Sequence, residues 1–264
     1  MISEAAQLPV GVPRRRTKVA VRGLGKTFAR KKDALEVLKG IDLSVEEGEL
    51  LCVVGPSGCG KSALLNIIGG FEAATSGSVA IDGEEVKGPD RRRVFVFQEY
   101  GIFPWATVWD NVALGLRGRP AAEQVRIVRR YVDLVGLAGF EHSYPPELSG
   151  GMKQRVAVAR ALAVSPDIIL MDEPFGALDS LTRLQVRAEI LRVWRTERPT
   201  ILYVTHDVDE ALQIADRIVV LTQRPARIRA ILPVGIRHPR DLGGAEYGVA
   251  KKQLLKLLGV SHAI

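Results

Sequence analysis

The stretch LLCVVGPSGCGKSALLNII, residues 50–68, decides the fold. Its first five residues, Leu50 to Val54, are apolar and predict a buried strand, and the apolar run from Ala63 to Ile68 predicts a helix. Between them lies the pattern G-x-x-x-x-G-K-[ST], in which a glycine-rich loop joins a strand to a helix and turns its amide groups toward a phosphate. The sequence therefore predicts a phosphate-binding loop in an α/β fold.

The residues of this loop have expected parts in binding a nucleotide. Lys61 is expected to reach the β- and γ-phosphates, and the Ser62 hydroxyl is expected to ligate Mg²⁺. Cys59 is interpreted as a spacer, although a thiol at a helix N-terminus beside a lysine could be acidified and reactive. The residues expected to contact ATP are Gly55, Pro56, Ser57, Gly58, Cys59, Gly60, Lys61, Ser62 and Ala63.

The composition excludes several classes of protein. The chain has 264 residues, of which 25% are charged and 47% apolar, and these shares are typical of globular proteins rather than disordered or fibrous ones. No apolar run approaches the roughly 18 residues that span a bilayer, and no basic segment with a long apolar block opens the chain, so we expect neither a membrane span nor a secretory signal. Two cysteines make no disulfide framework or metal pattern, as in a reducing cytosol. The net charge of +7 fits nucleic acid, anionic lipid, a polyanionic ligand or an ordinary solvated surface.

The pattern along the chain predicts two kinds of sheet. Short β-type runs between residues 18 and 81, among them 18–21 and 41–45, indicate a small antiparallel sheet, and residues 107–164 have helical periodicity. Further on, apolar runs at 168–171, 200–205 and 217–221 alternate with helical segments near 180–195 and 208–215, which indicates βαβ units and a parallel sheet. Residues 1–16 are expected to be a mobile tail, and residues 251–258 an amphipathic helix.

Two acids follow a second buried run. Asp172 and Glu173 close the segment that begins at Asp167. Ligands of open α/β sheets bind at the carboxyl ends of strands, and adjacent residues of an extended chain point to opposite sides. Asp172 is therefore expected to hold Mg²⁺ through water, and Glu173 to polarise the attacking water. Taken alone, the segment could equally be a strand end with solvated carboxylates.

A second glycine-rich helix start lies at Ser149-Gly150-Gly151. A serine N-cap followed by two glycines exposes amide groups much as the first loop does. One nucleotide does not need both helix starts from one subunit, so the sequence predicts a two-fold, head-to-tail dimer in which one chain closes over the phosphate held by the other.

These motifs resemble those of the ATP-binding cassette ATPases of membrane transporters, from Val19 to about Ile228. The resemblance implies an α/β fold: a P-loop NTPase (RecA-like) parallel-sheet core with an antiparallel β subdomain and a helical insertion. The implied segments are an N-terminal tail at 1–16, the β subdomain and first part of the core at 17–98, a helical subdomain with the signature motif at 99–153, the rest of the core at 154–228, and a C-terminal tail at 229–264.

The resemblance also implies roles for single residues. Phe28 matches the aromatic that stacks on adenine, and Gln98 matches the glutamine that senses Mg²⁺ and the water. Ser149-Gly150-Gly151 match the family signature and Asp179 the loop that couples the two sites, while His206 matches the switch histidine at the γ-phosphate. Alone, Phe28 is more typical of a core and His206 of a structural histidine; their order after the two main motifs favours the family roles.

The other histidines and one substitution stand apart from the family pattern. His142, His238 and His262 match no motif and are interpreted as surface residues. Ala63 stands where the family usually has a threonine whose hydroxyl helps bind the α-phosphate. One lost hydrogen bond corresponds to about 0.5–1.5 kcal/mol, so nucleotide binding is expected to be somewhat weaker and hydrolysis intact.

Two segments resemble the importer subfamily for nitrate, taurine and aliphatic sulfonates: Tyr100 to Val112 and Val219 to Ile228. The resemblance implies that two membrane permease subunits dock near Phe103, Trp105 and Trp109, although these aromatics could instead pack within the helical insertion. It further implies an indirect link to a substrate-binding protein and a peripheral position on the cytoplasmic face of the inner membrane. The alternatives are an exporter cassette, a soluble ATPase acting on nucleic acid or ribosomes, and a non-hydrolysing regulator, which Glu173 and His206 disfavour.

Overall fold

The computed structural model describes residues 16–29, 33–97, 101–176 and 178–260. Its strands form one six-stranded and one four-stranded sheet. The strands are β1 (Thr17–Ala29), β2 (Ala34–Glu46), β3 (Leu50–Val54), β4 (Ser76–Ile81), β5 (Glu84–Glu85), β6 (Arg93–Val96), β7 (Ile168–Asp172), β8 (Thr200–Val204), β9 (Arg217–Leu221) and β10 (Ile228–Pro233). The helices are α1 (Lys61–Gly69), α2 (Val108–Ala113), α3 (Ala121–Leu134), α4 (Gly150–Ala163), α5 (Ser180–Glu197), α6 (Val208–Ile214) and α7 (Ala245–Leu258).

The larger sheet has the strand order β10-β9-β3-β8-β7-β6, and every neighbouring pair except β10–β9 is parallel. The register places Val53 beside Val204 and Val204 beside Asp172. Since parallel strands share one carboxyl edge, the segments that follow β3, β7 and β8 meet at that edge. This is where the glycine-rich loop, the acid pair and His206 all begin.

The core lies on both faces of this sheet because the side chains of β3 alternate. Leu50, Cys52 and Val54 pack into a cluster with α2 to α6, whereas Leu51 and Val53 pack into a second cluster with α1 and the antiparallel sheet. All five residues are at most 1% exposed. A strand covered on both faces reads as a continuous apolar run, which is how residues 50–54 appear in the sequence.

The smaller sheet has the order β2-β1-β4-β5 and is antiparallel. The predicted α/β class, with a parallel core, an antiparallel sheet and an inserted helical region, is confirmed. The first two strands are much longer than the predicted runs at 18–21 and 41–45. They extend because Thr17 pairs with Glu46 at one end of the ladder and Ala29 with Ala34 at the other.

The C-terminal part differs from the prediction in two places. The helix predicted at 251–258 begins at Ala245, because Tyr247 is buried and its hydroxyl donates to Asp209 Oδ1 at 2.9 Å. His238, interpreted as a surface residue, instead has both ring nitrogens buried and lies edge-on to Trp194 at 6.2 Å between ring centroids. Burial and neighbouring arginines lower the pKa of His238 to about 4. Throughout the described ranges, every helix is too short or too polar to cross a bilayer.

Candidate functional site

The loop between β3 and α1 needs glycine at two positions. Gly58 has φ 70° and Gly60 has φ 122°, which side chains other than glycine rarely adopt. A Cβ on Gly60 would lie 2.6 Å from Cγ1 of Val37 on β2. The antiparallel sheet therefore presses directly on the loop and fixes its curvature.

Lys61 begins α1 and is only 5% exposed. Its Nζ donates to the carbonyl oxygens of Gly55 at 3.0 Å and Pro56 at 3.2 Å, so the ammonium lies across the loop. No side chain caps the start of α1, and within the described ranges the amides of Ser57 and Gly58 meet no acceptor. Open amides, an ammonium and the positive end of a helix at one place are what a phosphate group requires.

Cys59 does not have the reactive character that its position could suggest. The residue is 2% exposed, and burial raises the pKa of its thiol despite the opposing effect of Lys61. The possibility that this thiol is acidified, considered from the sequence, is therefore wrong. The Cys59 side chain instead fills space under the loop against Gly55.

The two acids after β7 point to different partners. Asp172 is half-buried; burial raises the pKa of its carboxylate, and the neighbouring Ser62 side chain opposes that shift. Glu173 Oε2 lies 2.9 Å from His206 Nδ1, a hydrogen bond that requires the proton on Nδ1 because a carboxylate only accepts. Glu173 has φ 44°, so a left-handed turn, rather than the strand alternation inferred from the sequence, separates the two carboxylates.

The donor set between α1 and β7 fits a hard divalent cation. The Ser62 hydroxyl and the Asp172 carboxylate are neighbours, and oxygen ligands with room for water and phosphate are what Mg²⁺ prefers. Gln98, the third predicted ligand, lies outside the described residues. Within the described ranges no cluster of three or more His, Cys, Asp or Glu side chains could hold a metal by itself.

Phe28 lies near the end of β1, opposite Leu35 on β2. Its ring is half-buried against the core cluster that contains α1, and Lys26 Nζ is 4.6 Å from the ring centroid. The structure therefore places this predicted adenine platform on the sheet that presses on the loop.

Ser149, Gly150 and Gly151 form a second helix start that the chain does not bring to the first. Ser149 is exposed, and its Oγ accepts from Met152 N at 3.3 Å, so it caps α4. Asp179 likewise caps α5, accepting from Leu181 N and Thr182 N at 3.1 Å each. The Thr182 side chain, followed by these amides, lowers the pKa of Asp179. Among the described residues, no hydrogen bond or ion pair joins Ser149 or Asp179 to residues 55–62.

Only one of the three predicted docking aromatics is exposed. Trp105 is 73% exposed, but Phe103 and Trp109 are half-buried, so the alternative of packing within the helical insertion fits these two better than exposure does. Trp109 packs on the main core, and the backbone of Phe103 is held by Asn111, whose Oδ1 accepts from Phe103 N at 2.8 Å. Asn111 is completely buried and was not identified from the sequence.

Sequence reasoning also missed a buried polar group behind His206. Glu210 and Arg187 are 3% and 4% exposed, and Arg187 Nη2 lies 3.5 Å from Glu210 Oε1. The Thr205 hydroxyl donates to Glu210 Oε2. An acid in the first turn of α6 looks like an ordinary helix-start residue in the sequence, so no local signal distinguishes it.

Comparisons with known proteins agree with this geometry. The sequence model of a family described as ABC transporter matches residues 38–176. The chain is 45% identical over 223 residues to the nitrate import ATP-binding protein of Synechococcus elongatus, covering 83% of this chain and 81% of that protein. It is 40% identical over 240 residues to the aliphatic sulfonates import ATP-binding protein of Bacillus cereus, covering 90% and 94%.

The fold is similar to a solved dimeric structure, that of the ATP-binding cassette MJ0796 in a post-hydrolysis state with ADP and Pi. The TM-score is 0.70 at 32% sequence identity, and the match covers 82% of this chain and 98% of that chain.

Proposed function

This chain belongs to the ABC transporter family, and we propose that it is the motor of an importer for a small anionic solute of the nitrate, sulfonate or taurine type. It is an ATPase whose hydrolysis is coupled to transport. The single observation that carries the proposal is the convergence of Lys61, Asp172, Glu173 and His206 on one edge of the parallel sheet. The names of the two relatives support the anionic class of solute.

Nucleotide binding is proposed to use groups that are already in place. The loop amides and Lys61 bind the β- and γ-phosphates, and Phe28 stacks on adenine. Because these donors are fixed before the nucleotide arrives, little reorganisation opposes binding. Mg²⁺, held by Ser62, Asp172 and Gln98, would neutralise phosphate charge.

Glu173 is proposed to act as the base that polarises the attacking water. Its side chain is 26% exposed, which leaves it accessible to water, and His206 fixes one carboxylate oxygen at 2.9 Å while the other is free to accept from water. Phosphoryl transfer depends mainly on positioning and charge stabilisation, so this fixed orientation is the chain's main contribution to the step.

A head-to-tail dimer of two copies is proposed to complete each site. Ser149, Gly150 and Gly151 would close over the γ-phosphate held by the other copy, with Asp179 at the same interface. The separation of the two helix starts within one chain supports this arrangement, as does the dimeric state of the similar cassette structure.

Two membrane permease subunits are proposed to dock at Trp105, with Phe103 and Trp109 shaping the surface beneath it. The centroid of the exposed ring of Trp105 lies 5.2 Å from that of the half-buried ring of Phe103, which is a typical anchor arrangement. Through the permeases the chain would communicate with a substrate-binding protein, and it would lie peripherally on the cytoplasmic face of the inner membrane.

Nucleic acid is not an expected partner, although the net charge is +7. Prominent surface cations are neutralised within the chain: Arg92 pairs with Asp90 at 3.0 Å, and Lys251 with Asp209 at 2.8 Å. These pairs reduce the free positive charge that backbone phosphates would attract.

The test is reconstitution with candidate membrane permease subunits. Proteoliposomes should take up a small anion only when ATP is present on the side of the membrane that carries this chain. Competition among nitrate, taurine and an alkanesulfonate then identifies the solute. Trp105→Ala should weaken co-purification with the permeases and leave basal ATPase activity unchanged, whereas Val249→Ala, an exposed site on α7, should change neither. ATPase activity that rises several-fold with duplex DNA or RNA at physiological salt, but not with permeases, would refute the importer.

A further inference from the structure

The first two turns of α5 contact three segments: the loop at Asp179 that precedes the helix, the loop that carries His206, and the start of α4. We infer that Arg183, on this helix, is a positioning residue that couples the loop at Asp179 to the loop at His206. The inference rests on the proposed roles of Asp179 at the dimer interface and of His206 beside Glu173. In this role, Arg183 transmits the docking of the partner copy to Glu173 and His206.

On one side, Arg183 holds the loop that precedes α5. Its Nη2 donates to the carbonyl oxygen of Leu178 at 3.0 Å, and its amide donates to the carbonyl of Asp179 at 2.9 Å. The Asp179 carboxylate is fixed in turn by two amides of the first turn. A shift of this loop therefore displaces the guanidinium.

On the other side, the same guanidinium meets the loop that carries His206. Arg183 Nη1 lies 3.5 Å from Asp207 Oδ2, while Asp207 Oδ1 accepts from Glu210 N at 3.0 Å. The Asp207 amide donates to Thr205 Oγ1 at 3.0 Å. Asp207 is thus held from both sides, and it is the residue next to His206.

The ion pair between Arg183 and Asp207 is half-buried, since both side chains are 29% exposed. A pair at this depth is screened less than a surface pair. Behind it, Arg187 extends toward the same Asp207 oxygen at 4.0 Å and toward Glu210 at 3.5 Å. The network gives α5 a direct electrostatic hold on the His206 loop.

The start of α4, which carries the signature residues Ser149 to Gly151, packs against the same turn of α5. A Cβ on Gly151 would lie 2.4 Å from Thr182 Cγ2, so the start of α4 packs directly against the residue before Arg183. Two elements proposed to meet the partner copy, Ser149 to Gly151 and Asp179, are therefore fastened to one turn that also holds Asp207. When the partner docks, that turn and the His206–Glu173 hydrogen bond must adjust together.

A double-mutant cycle on the full-length chain tests the coupling. Arg183→Gln removes the charge and Asp207→Asn keeps an N-cap oxygen for α6, so both variants should fold. We expect each to lower kcat for MgATP hydrolysis about 5- to 20-fold with KM changed less than about two-fold, and the double variant to be no slower than the slower single one. Arg183→Lys should recover part of kcat, because an ammonium can reach one of the two loops.

Arg195→Gln is the matched control, an exposed arginine on the same helix with no hydrogen bond or ion pair to another described residue. It should retain the wild-type kcat. The coupling would be overturned if the kcat losses of the two single variants multiplied in the double variant. It would also be overturned if KM rose while kcat did not fall, or if the loss of kcat followed a loss of folded protein measured by circular dichroism. A wild-type chain that hydrolyses no ATP would instead refute the proposed function.

Discussion

The starts of α1 and α4 have similar glycine-rich sequences but opposite surroundings. At α1, no side chain caps the helix, Lys61 is buried at 5% exposure, and the loop is enclosed by β2. At α4, Ser149 is exposed and its own hydroxyl caps the helix. The first start is enclosed by the chain that carries it, and the second is open to the solvent.

The difference shows how a glycine-rich helix start can serve either to bind a ligand or to meet a second chain. An uncapped helix start leaves its amides for a ligand, and an enclosing loop fixes that ligand without help from another chain. A capped, exposed start is stable in the free subunit and still presents a positive helix end to a second chain. We therefore assign nucleotide affinity to α1 and its loop, and dimer closure to α4.

The largest expected effect is on the kcat of a variant that should bind ATP without hydrolysing it, so that α1 of one copy and α4 of the other stay on the same nucleotide. Glu173→Gln removes the base and keeps a side-chain oxygen for His206, so kcat should fall at least about 100-fold, as expected for loss of a general base. ATP binding should be retained, and dimers should accumulate with MgATP in light scattering. Glu246→Gln, in the exposed first turn of α7, should hydrolyse ATP normally.

A Glu173→Gln chain that stays monomeric at high protein concentration with saturating MgATP would contradict the assignment of α4 to dimer closure. Wild-type hydrolysis in the same variant would contradict the role of Glu173.

The next largest effect separates the two helix starts in the monomer. Lys61→Ala should weaken the Kd for ATP about 10- to 100-fold, because a hydrogen bond to a charged group contributes about 1.5–3 kcal/mol. Lys153→Ala, which removes a lysine from the first turn of α4, is the matched control and should leave this Kd unchanged. Isothermal titration below the concentration at which dimers form measures both values, and equal losses would show that α4 binds nucleotide without a partner.

Local patterns predicted the enclosed site better than the open one. The segment from Leu50 to Ile68 specifies its strand, loop and helix within nineteen consecutive residues, and the parallel sheet then brings Asp172 and His206 to the same edge. Residues that depend on distant packing were not settled: Trp109 was left between docking and packing, and the burial of His238 beside Trp194 was missed.

The ion pair between Arg183 and Asp207 illustrates why. Arg183 is on α5 and Asp207 on the β8–α6 loop, and neither has a charge pattern that marks the other. The pairing follows from the crossing of α5 and the β8–α6 loop, which exists only in the folded chain. Similarly, the positive φ of Glu173 has no sequence signal, since a non-glycine residue adopts it only where its surroundings require it.

A smaller effect is expected from Ser149, where capping and dimer closure can be separated. Ser149→Ala removes the cap and should lower the free energy of unfolding by about 1 kcal/mol. Ser149→Asp keeps a capping oxygen and should unfold like the wild type, but its negative charge should reduce MgATP-dependent dimers of the Glu173→Gln variant about tenfold. Urea unfolding and light scattering measure the two properties. Undiminished dimers in Ser149→Asp would mean that no phosphate approaches this helix start.

The smallest expected effect concerns the enclosed start alone. Ala63 is half-buried at the third position of α1, against the cluster that lies under the antiparallel sheet. Ala63→Thr adds one hydroxyl beside the loop, and a single hydrogen bond of about 0.5–1.5 kcal/mol corresponds to a Kd for ATP about 2- to 12-fold tighter. Ala63→Val, which adds the same bulk without the hydroxyl, controls for packing. If threonine and valine give the same Kd as alanine, the backbone amides already saturate the α-phosphate, and the affinity of this helix start depends on the loop rather than on side chains beyond it.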